Sequence, residues 1–384
     1  MIQKAKFAVL YVVLFAVHAA LALCERLFCF RLRLNSVSNP SDFFIPEVCL
    51  DYASQAFTQS LGVMQNLVGP VGSGAPIEVM NEPIMGIADM GQYYQRPVFN
   101  RMGSGAVVRR DVTSNSDTTP VNLTGTNEIA VKMNRRCGPI DMTVDSMRLT
   151  KATPAEVSAE IGNQIGQEMA LNIQTTIIAA AVGIIGGVSG AANTKTVWAA
   201  ASRTNLSPSL LNAALALMGD YREQFRRSAR ILTRSEALQD MIDDATGRGF
   251  QGVANLALQG TLNTNTYGMG DPIIVDSANL TVADAGFDKC LTLLLGAGFM
   301  QIWFPLPLTI YEVFQTTLPE QVLRRWRADF DFCIGAHGCQ YDTVNGGANP
   351  TNAAIATTTN WDSNFTRHQE VKGIEIVHNA SGFA

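Results

Sequence analysis

The chain has 384 residues, 47% of them hydrophobic and only 16% charged, with a formal net charge of −5. That length and apolar share can fill the cores of two or three domains, which excludes a disordered chain. The acidic balance excludes a dedicated nucleic-acid binder that works by long-range attraction to phosphate, and the sparse charge, below the roughly 25% usual for soluble domains, points to a surface partly covered by neighbours.

Lys4 and Lys6 precede an apolar run from Phe7 to Leu23, and Cys24 follows. This is the pattern of a secretory signal. Leu23 is too large to suit a lipid-acceptor cysteine. A second reading starts from the abrupt change at Val37-Ser38-Asn39-Pro40 and makes residues 1–36 a hydrophobic leader upstream of the true start, with synthesis beginning near Val37. Residues 37–76 then read as an N-terminal arm. Its extended part is Phe43-Phe44-Ile45-Pro46-Glu47, and a short amphipathic helix with Leu50, Ala53, Phe57, Leu61 and Met64 on one side comes next.

Residues 77–151 read as an extended hairpin. Val98-Phe99, Ala106-Val107-Val108 and Glu128 to Met133 are strand-like, and Ser114 to Pro120 is a polar turn. A long, two-sided polar hairpin cannot bury itself against its own domain, so it is expected to lie on something else. Thr153-Pro154-Ala155-Glu156 is a helix start with a capping box. Val157, Ile161, Ile165, Met169, Ile173 and Ile177 then recur every four residues, which predicts a spine helix of about seven turns. Gly183, Gly186 and Gly187 interrupt the apolar stretch beyond it, which is too short for a membrane span.

A second helix is expected to start at Ser207-Pro208, to carry Leu211, Leu215 and Met218, and to stop at Gly219. Residues 228–233 read as a strand and 235–244 as a helix. Gly268 to Leu280 (GMGDPIIVDSANL) is a glycine-studded turn feeding a short strand. Leu291–Trp303 and Ile310–Phe314 read as apolar strands separated by Pro305 and Pro307, and Val371–Val377 as a final half-buried strand. The class is α+β without internal repeats.

The search for chemistry assigns no catalytic, cofactor-binding or metal site and implies no cofactor. Phosphate-binding, zinc-protease and nucleophile-elbow motifs are absent from the sequence. Cys24, Cys29, Cys49, Cys137, Cys290, Cys333 and Cys339 are odd in number and scattered, which disfavours a disulfide framework. Cys333, His337 and Cys339 offer three soft ligands, but zinc needs a fourth, and a strand-and-turn reading explains them. His337, His368 and His378 lack a nucleophile at a catalytic spacing. Asp240, Asp243 and Asp244 fit a charged helix end near Arg248 as well as a metal site. The basic groups Arg109-Arg110, Arg135-Arg136, Arg226-Arg227 and Arg324 to Arg327 around Trp326 read as solvated or subunit-pairing faces. Gly183 to Gly190 follows a helix, so no helix N-terminus is aimed at a phosphate there.

Phe44-Ile45-Pro46-Glu47 resembles the opening of a subgroup of tailed-bacteriophage major capsid proteins of the Hong Kong 97 type. Ser228 to Ser235 is similar to the strand and helix start of such proteins, Gly268 to Asp276 to their turn-and-strand signature, and Asn349-Pro350-Thr351-Asn352 with Asn360-Trp361 to their closing region. The resemblance spans about residues 40 to 380 and rests on the order of the motifs. It implies an arm, an extended hairpin, a spine helix with a peripheral domain over 152–204, an axial domain over 205–330 and a return to the peripheral domain over 331–384. It also implies hexamers and pentamers of identical copies in an icosahedral shell assembled in the host cytoplasm. The implied partners are scaffold, portal and decoration proteins and nonspecifically held DNA, with no membrane. Under it the arm and the hairpin reach neighbouring subunits. The leader departs from the family, and no crosslinking lysine and asparagine are identified. An encapsulin-like compartment, an exported or lipid-anchored surface protein and, more distantly, a hydrolase built on Asp240 to Asp244 are the competing readings.

Overall fold

Thr153 opens the longest helix by a reciprocal capping box. Its backbone N–H donates to Glu156 Oε2 at 2.8 Å, and the Glu156 N–H donates back to Thr153 Oγ1 at 3.3 Å. In this computed structural model the described residues are 44–62, 67–80, 93–99, 125–143, 153–188, 192–199, 204–247, 273–274, 280–282, 289–317, 322–365 and 367–379. The leader, the start near Val37, the strand expected at Ala106 to Val108, the turn at Ser114 to Pro120 and the Gly268 to Pro272 turn lie outside them.

The chain divides into two compact units. The first comprises the described parts of Met1–Ser60, Arg135–Met169 and Leu306–Asp331, and the second those of Leu61–Asn134, Ala170–Pro305 and Phe332–Ala384. The stretch read as an axial domain is therefore shared between the units, because the chain passes from one to the other at Leu306 as well as near Asp331. All five passages fall inside regular elements: helix α1 (Pro46–Gly62), strand β4 (Gly125–Thr143), helix α2 (Pro154–Gly187), strand β10 (Met300–Thr317) and strand β11 (Val322–Ala336).

Helix α2 has 34 residues, about 51 Å at 1.5 Å per residue, and is longer than the four-residue ridge predicts. It continues through Gly183 and Gly186 because their missing side chains admit other chain. A Cβ on Gly183 would lie 2.3 Å from the Ile355 carbonyl oxygen, and one on Gly186 would lie 2.4 Å from Thr358 Cγ2. Burial beside the α6 segment (Asn352–Ala356) thus outweighs the roughly 1 kcal/mol that each helical glycine costs relative to alanine. Trp361 closes that corner, its Nε1–H donating to the Ile355 carbonyl at 2.8 Å. By length and composition α2 could cross a membrane, but 61% of its most apolar stretch is buried by protein, as in a core helix.

An eight-stranded sheet has the order β1 (Val68–Pro70), β2 (Ile77–Val79), β10, β11, β4, β12 (Cys339–Tyr341), β13 (Trp361–Ser363), with β3 (Tyr93–Phe99) paired to β4. Residues 77–79 therefore join a sheet, running parallel to β1 and β10, instead of beginning the hairpin. Strand β10 runs through Pro305 and Pro307, whose fixed φ is compatible with extended backbone.

The second sheet has the order β5 (Thr194–Thr196), β14 (Gly373–His378), β9 (Lys289–Leu295), β6 (Arg230–Thr233), β7 (Ile273–Ile274), with β8 (Thr281–Val282) on β9. Ile374 and Ile376 of β14, two residues apart and hence on one face, pack with Leu294 against α3 (Pro208–Leu215) and α5 (Ser235–Gly247). Leu210, Leu211, Ala214, Leu215, Met218 and Met241 fill that core. Each large apolar side chain buried there contributes roughly 1.5–3 kcal/mol. Ser207 caps α3 by accepting from the Leu210 N–H at 3.3 Å, and α3 ends at Leu215, short of the predicted Met218; a 3₁₀ stretch (Ala216–Tyr221) follows and breaks at Gly219, φ +53°, where the sequence places the stop. The short helix α4 (Arg222–Ser228) carries no strong sequence signal.

Candidate assembly site

The Phe44-Ile45-Pro46-Glu47 motif is anchored within its own unit. Phe44 is buried and its ring lies 4.5 Å from that of Trp326 on β11. The Ile45 N–H donates to Ser158 Oγ at 2.8 Å, and Ser158 in turn donates to the Pro154 carbonyl at 2.8 Å. Pro46 then takes the first position of α1, where a missing N–H carries no penalty.

Cys49, Ala53, Ala56 and Phe57 form the buried face of α1; Ala53 and Phe57 lie there as the predicted stripe has them, whereas Cys49 takes the buried place expected of Leu50, which is only half-buried. They meet α2 at Gly162 and Gly166, where a Cβ would lie 2.3 Å from the Cys49 and Ala53 carbonyl oxygens respectively. This part of the arm therefore packs on its own spine helix.

The second feature is the ribbon of β3 and β4, paired antiparallel from Tyr93↔Val131 to Phe99↔Gly125. Its base is embedded, contrary to the expectation that the hairpin cannot bury itself. Tyr94, Ala130 and Cys333 are buried together, and Tyr94 meets Trp303 edge-on at 4.9 Å. The outer end differs, because Phe99 is 65% exposed. Val98 and Phe99 line a cleft of about 530 Å³ together with Tyr221, Phe225, His337 and Phe365, with Glu370 and Lys372 on its walls.

The residues weighed for chemistry are dispersed. The His337 imidazole Nδ1 lies 2.9 Å from Glu128 Oε1. His368 Nε2 lies 3.1 Å from the Leu217 carbonyl, to which it can only donate. His378 is fully buried, with Nε2 2.8 Å from Thr292 Oγ1, and burial lowers its basicity. Asp240 is buried, whereas Asp243 is exposed and accepts from Gln239 at 2.9 Å; the side chain of Asp244 and all of Arg248 lie outside the description. Cys333 and Cys339 are buried on β11 and β12, and the five described cysteines are free thiols. Among the described residues no three His, Cys, Asp or Glu side chains converge on a metal position.

Several of the basic residues are paired. Arg325 makes a two-pronged bond to Asp141, its Nη2 at 2.6 Å from Oδ2, and this hydrogen bond holds the Asp141 carboxyl below its ordinary range. Arg327 bonds Asp329 at 3.0 Å, and Arg226 approaches Glu223 at 4.0 Å. Arg109 and Arg110 lie outside the described residues.

A profile of major capsid proteins of the Gp13-like type matches residues 51–374. The chain belongs to this family. It is accordingly a structural capsid subunit of a tailed phage, located in the virion shell, and the encapsulin-like and exported-protein alternatives are not favoured. No curated protein sequence matches the chain. The cyanophage Pam1 capsid asymmetric unit is similar to this capsid protein at a TM-score of 0.52 and 11% identity, over 83% of this chain and 92% of that one, which shows the Hong Kong 97-type α+β fold. Similarity also extends to the capsid of Ralstonia phage GP4 (TM-score 0.49, 12% identity, 84% and 91% covered) and to that of Helicobacter pylori bacteriophage KHP30 (TM-score 0.49, 10% identity, 82% and 90% covered).

Proposed function

We propose that the subunit closes an icosahedral shell of hexamers and pentamers around double-stranded DNA, with the β3–β4 ribbon laid over a neighbouring copy. The observation that carries this reading is Phe99, a large aromatic left 65% exposed at the far end of a ribbon whose base is buried at Tyr94 and Ala130. Burial against an identical copy removes such a side chain from water. Several such contacts per subunit, each modest, add up to a stable shell.

Under this reading the α2 region serves as the spine and peripheral domain and the second sheet with its helices as the axial domain. The chain carries out no catalysis, and scaffold, portal and decoration proteins are its transient or peripheral partners. DNA contact is nonspecific, consistent with the net charge of −5 and the paired arginines. Assembly takes place in the host cytoplasm without a membrane.

Sedimentation and negative-stain microscopy of the purified full chain test it. Rings of five or six, or closed particles in the megadalton range, are expected. A chain that stays monomeric at every concentration overturns self-assembly.

A further inference from the structure

We infer that the buried Glu128 carboxylate is the main side-chain anchor of the outer part of the β3–β4 ribbon, with the Asn127 carbonyl held beside it, and sets the direction in which the ribbon leaves the subunit, an inference that rests on the assembly reading above. Seven consecutive register pairs, Tyr93↔Val131 to Phe99↔Gly125, make the two strands move as one body. Near the base the ribbon is held by Tyr94 against Trp303 and by Tyr93, whose hydroxyl donates to the Thr343 carbonyl at 3.3 Å. Further out, opposite Arg96 and Pro97, come Glu128 and Asn127. Asn364 Nδ2 donates to the Asn127 carbonyl at 2.8 Å, while Glu128 Oε1 accepts from both the Gly338 N–H and His337 Nδ1.

Beyond these two residues Thr126 Oγ1 is buried without a partner among the described residues, and Phe99, on the wall of the cleft, is largely exposed. The backbone contributes little at this point, since β12 meets β4 in a single register pair, Gln340↔Ile129. The receiving turn is itself immobilised. Gly338 has φ +77°, a side chain there would run into the Phe365 ring, and that ring meets His337 edge-on at 5.4 Å. A buried carboxylate with two donors on a rigid turn is a directional anchor, and its loss leaves the Gly338 N–H and the imidazole unpaired.

The test uses the full chain in two variants, read by amide exchange on unassembled subunits and by particle counts. In Glu128→Ala, exchange across Tyr93–Phe99 and Gly125–Val131 is expected to rise at least tenfold with β9 unchanged, and closed particles to fall at least tenfold. His337→Leu, at a half-buried position, keeps the Gly338 bond and is expected to give a smaller change of the same sign; it decides the matter if the first variant fails to fold. Unchanged ribbon exchange in the folded variants overturns the inference whatever the particles look like. Faster exchange with normal particles also overturns it, since the direction of the ribbon then does not matter to assembly. A lack of particles from the unaltered chain instead overturns the reading on which the inference rests.

Discussion

Phe44 and Trp326 stack with ring centroids 4.5 Å apart and an angle of 33° between their planes, tying the start of the described chain to strand β11. Both rings are at most 5% exposed. Phe44→Ala is expected to lower unfolding stability by about 3 kcal/mol, the order seen for buried phenylalanines, as read by urea denaturation. Trp326→Ala should lose at least as much, and the double variant less than the sum of the two, because each single change already removes the shared contact.

Gly162→Ala and Gly166→Ala test the seat of α1 on α2. Alanine normally favours a helix over glycine by about 1 kcal/mol. Here the added carbon would meet backbone oxygen at 2.3 Å, so each variant should instead be destabilised by about 2 kcal/mol, whereas Gln167→Ala on the exposed face should be near neutral. Thermal melts that show stabilisation at either glycine would refute the close approach.

Glu375 and His378, three residues apart on β14, should give opposing pH dependences. Burial pushes the Glu375 carboxyl up from 4.5 to about 7, with Thr194 Oγ1 donating to it at 3.3 Å in partial opposition. The folded state then holds a proton that the unfolded state has released, so stability is full below about 4.5 and falls as pH rises to about 7, by about 3 kcal/mol in all. Burial lowers the pKa of His378, so its contribution is present at neutral pH and is lost as pH falls below the ordinary imidazole range. In Glu375→Gln the alkaline loss should vanish, leaving the acid loss due to His378. Denaturation midpoints measured from pH 5 to 8 would show this, and an unaltered alkaline slope in the variant would count against it.

Replacement of residues 100–124 by Asn-Gly joins the paired positions Phe99 and Gly125 through a two-residue turn suited to antiparallel strands. A soluble, folded subunit that no longer closes shells is expected. Normal particles by electron microscopy would contradict a role for the ribbon in pairing copies.

Legibility of the sequence followed the range of the interactions involved. The capping box at Thr153, the cap at Ser207 and the stop at Gly219 are local and were readable, since each depends on residues three or four apart. Gly162, Gly166, Gly183 and Gly186 were not readable as contact points, because what each of the four admits comes from chain distant in sequence. The same holds for the arm motif, which suggests reach toward a neighbour yet holds to Ser158 and Trp326 of its own chain. For the candidate site, the strand at Glu128 was visible as an alternating pattern, but nothing in a single sequence shows that its carboxylate meets a turn 210 residues away.

The chain passes between its two units five times, always within a helix or a strand. Neither unit is a continuous piece of chain, so no single cut can excise one of them, and a fragment ending at any of these crossings would break hydrogen-bonded backbone.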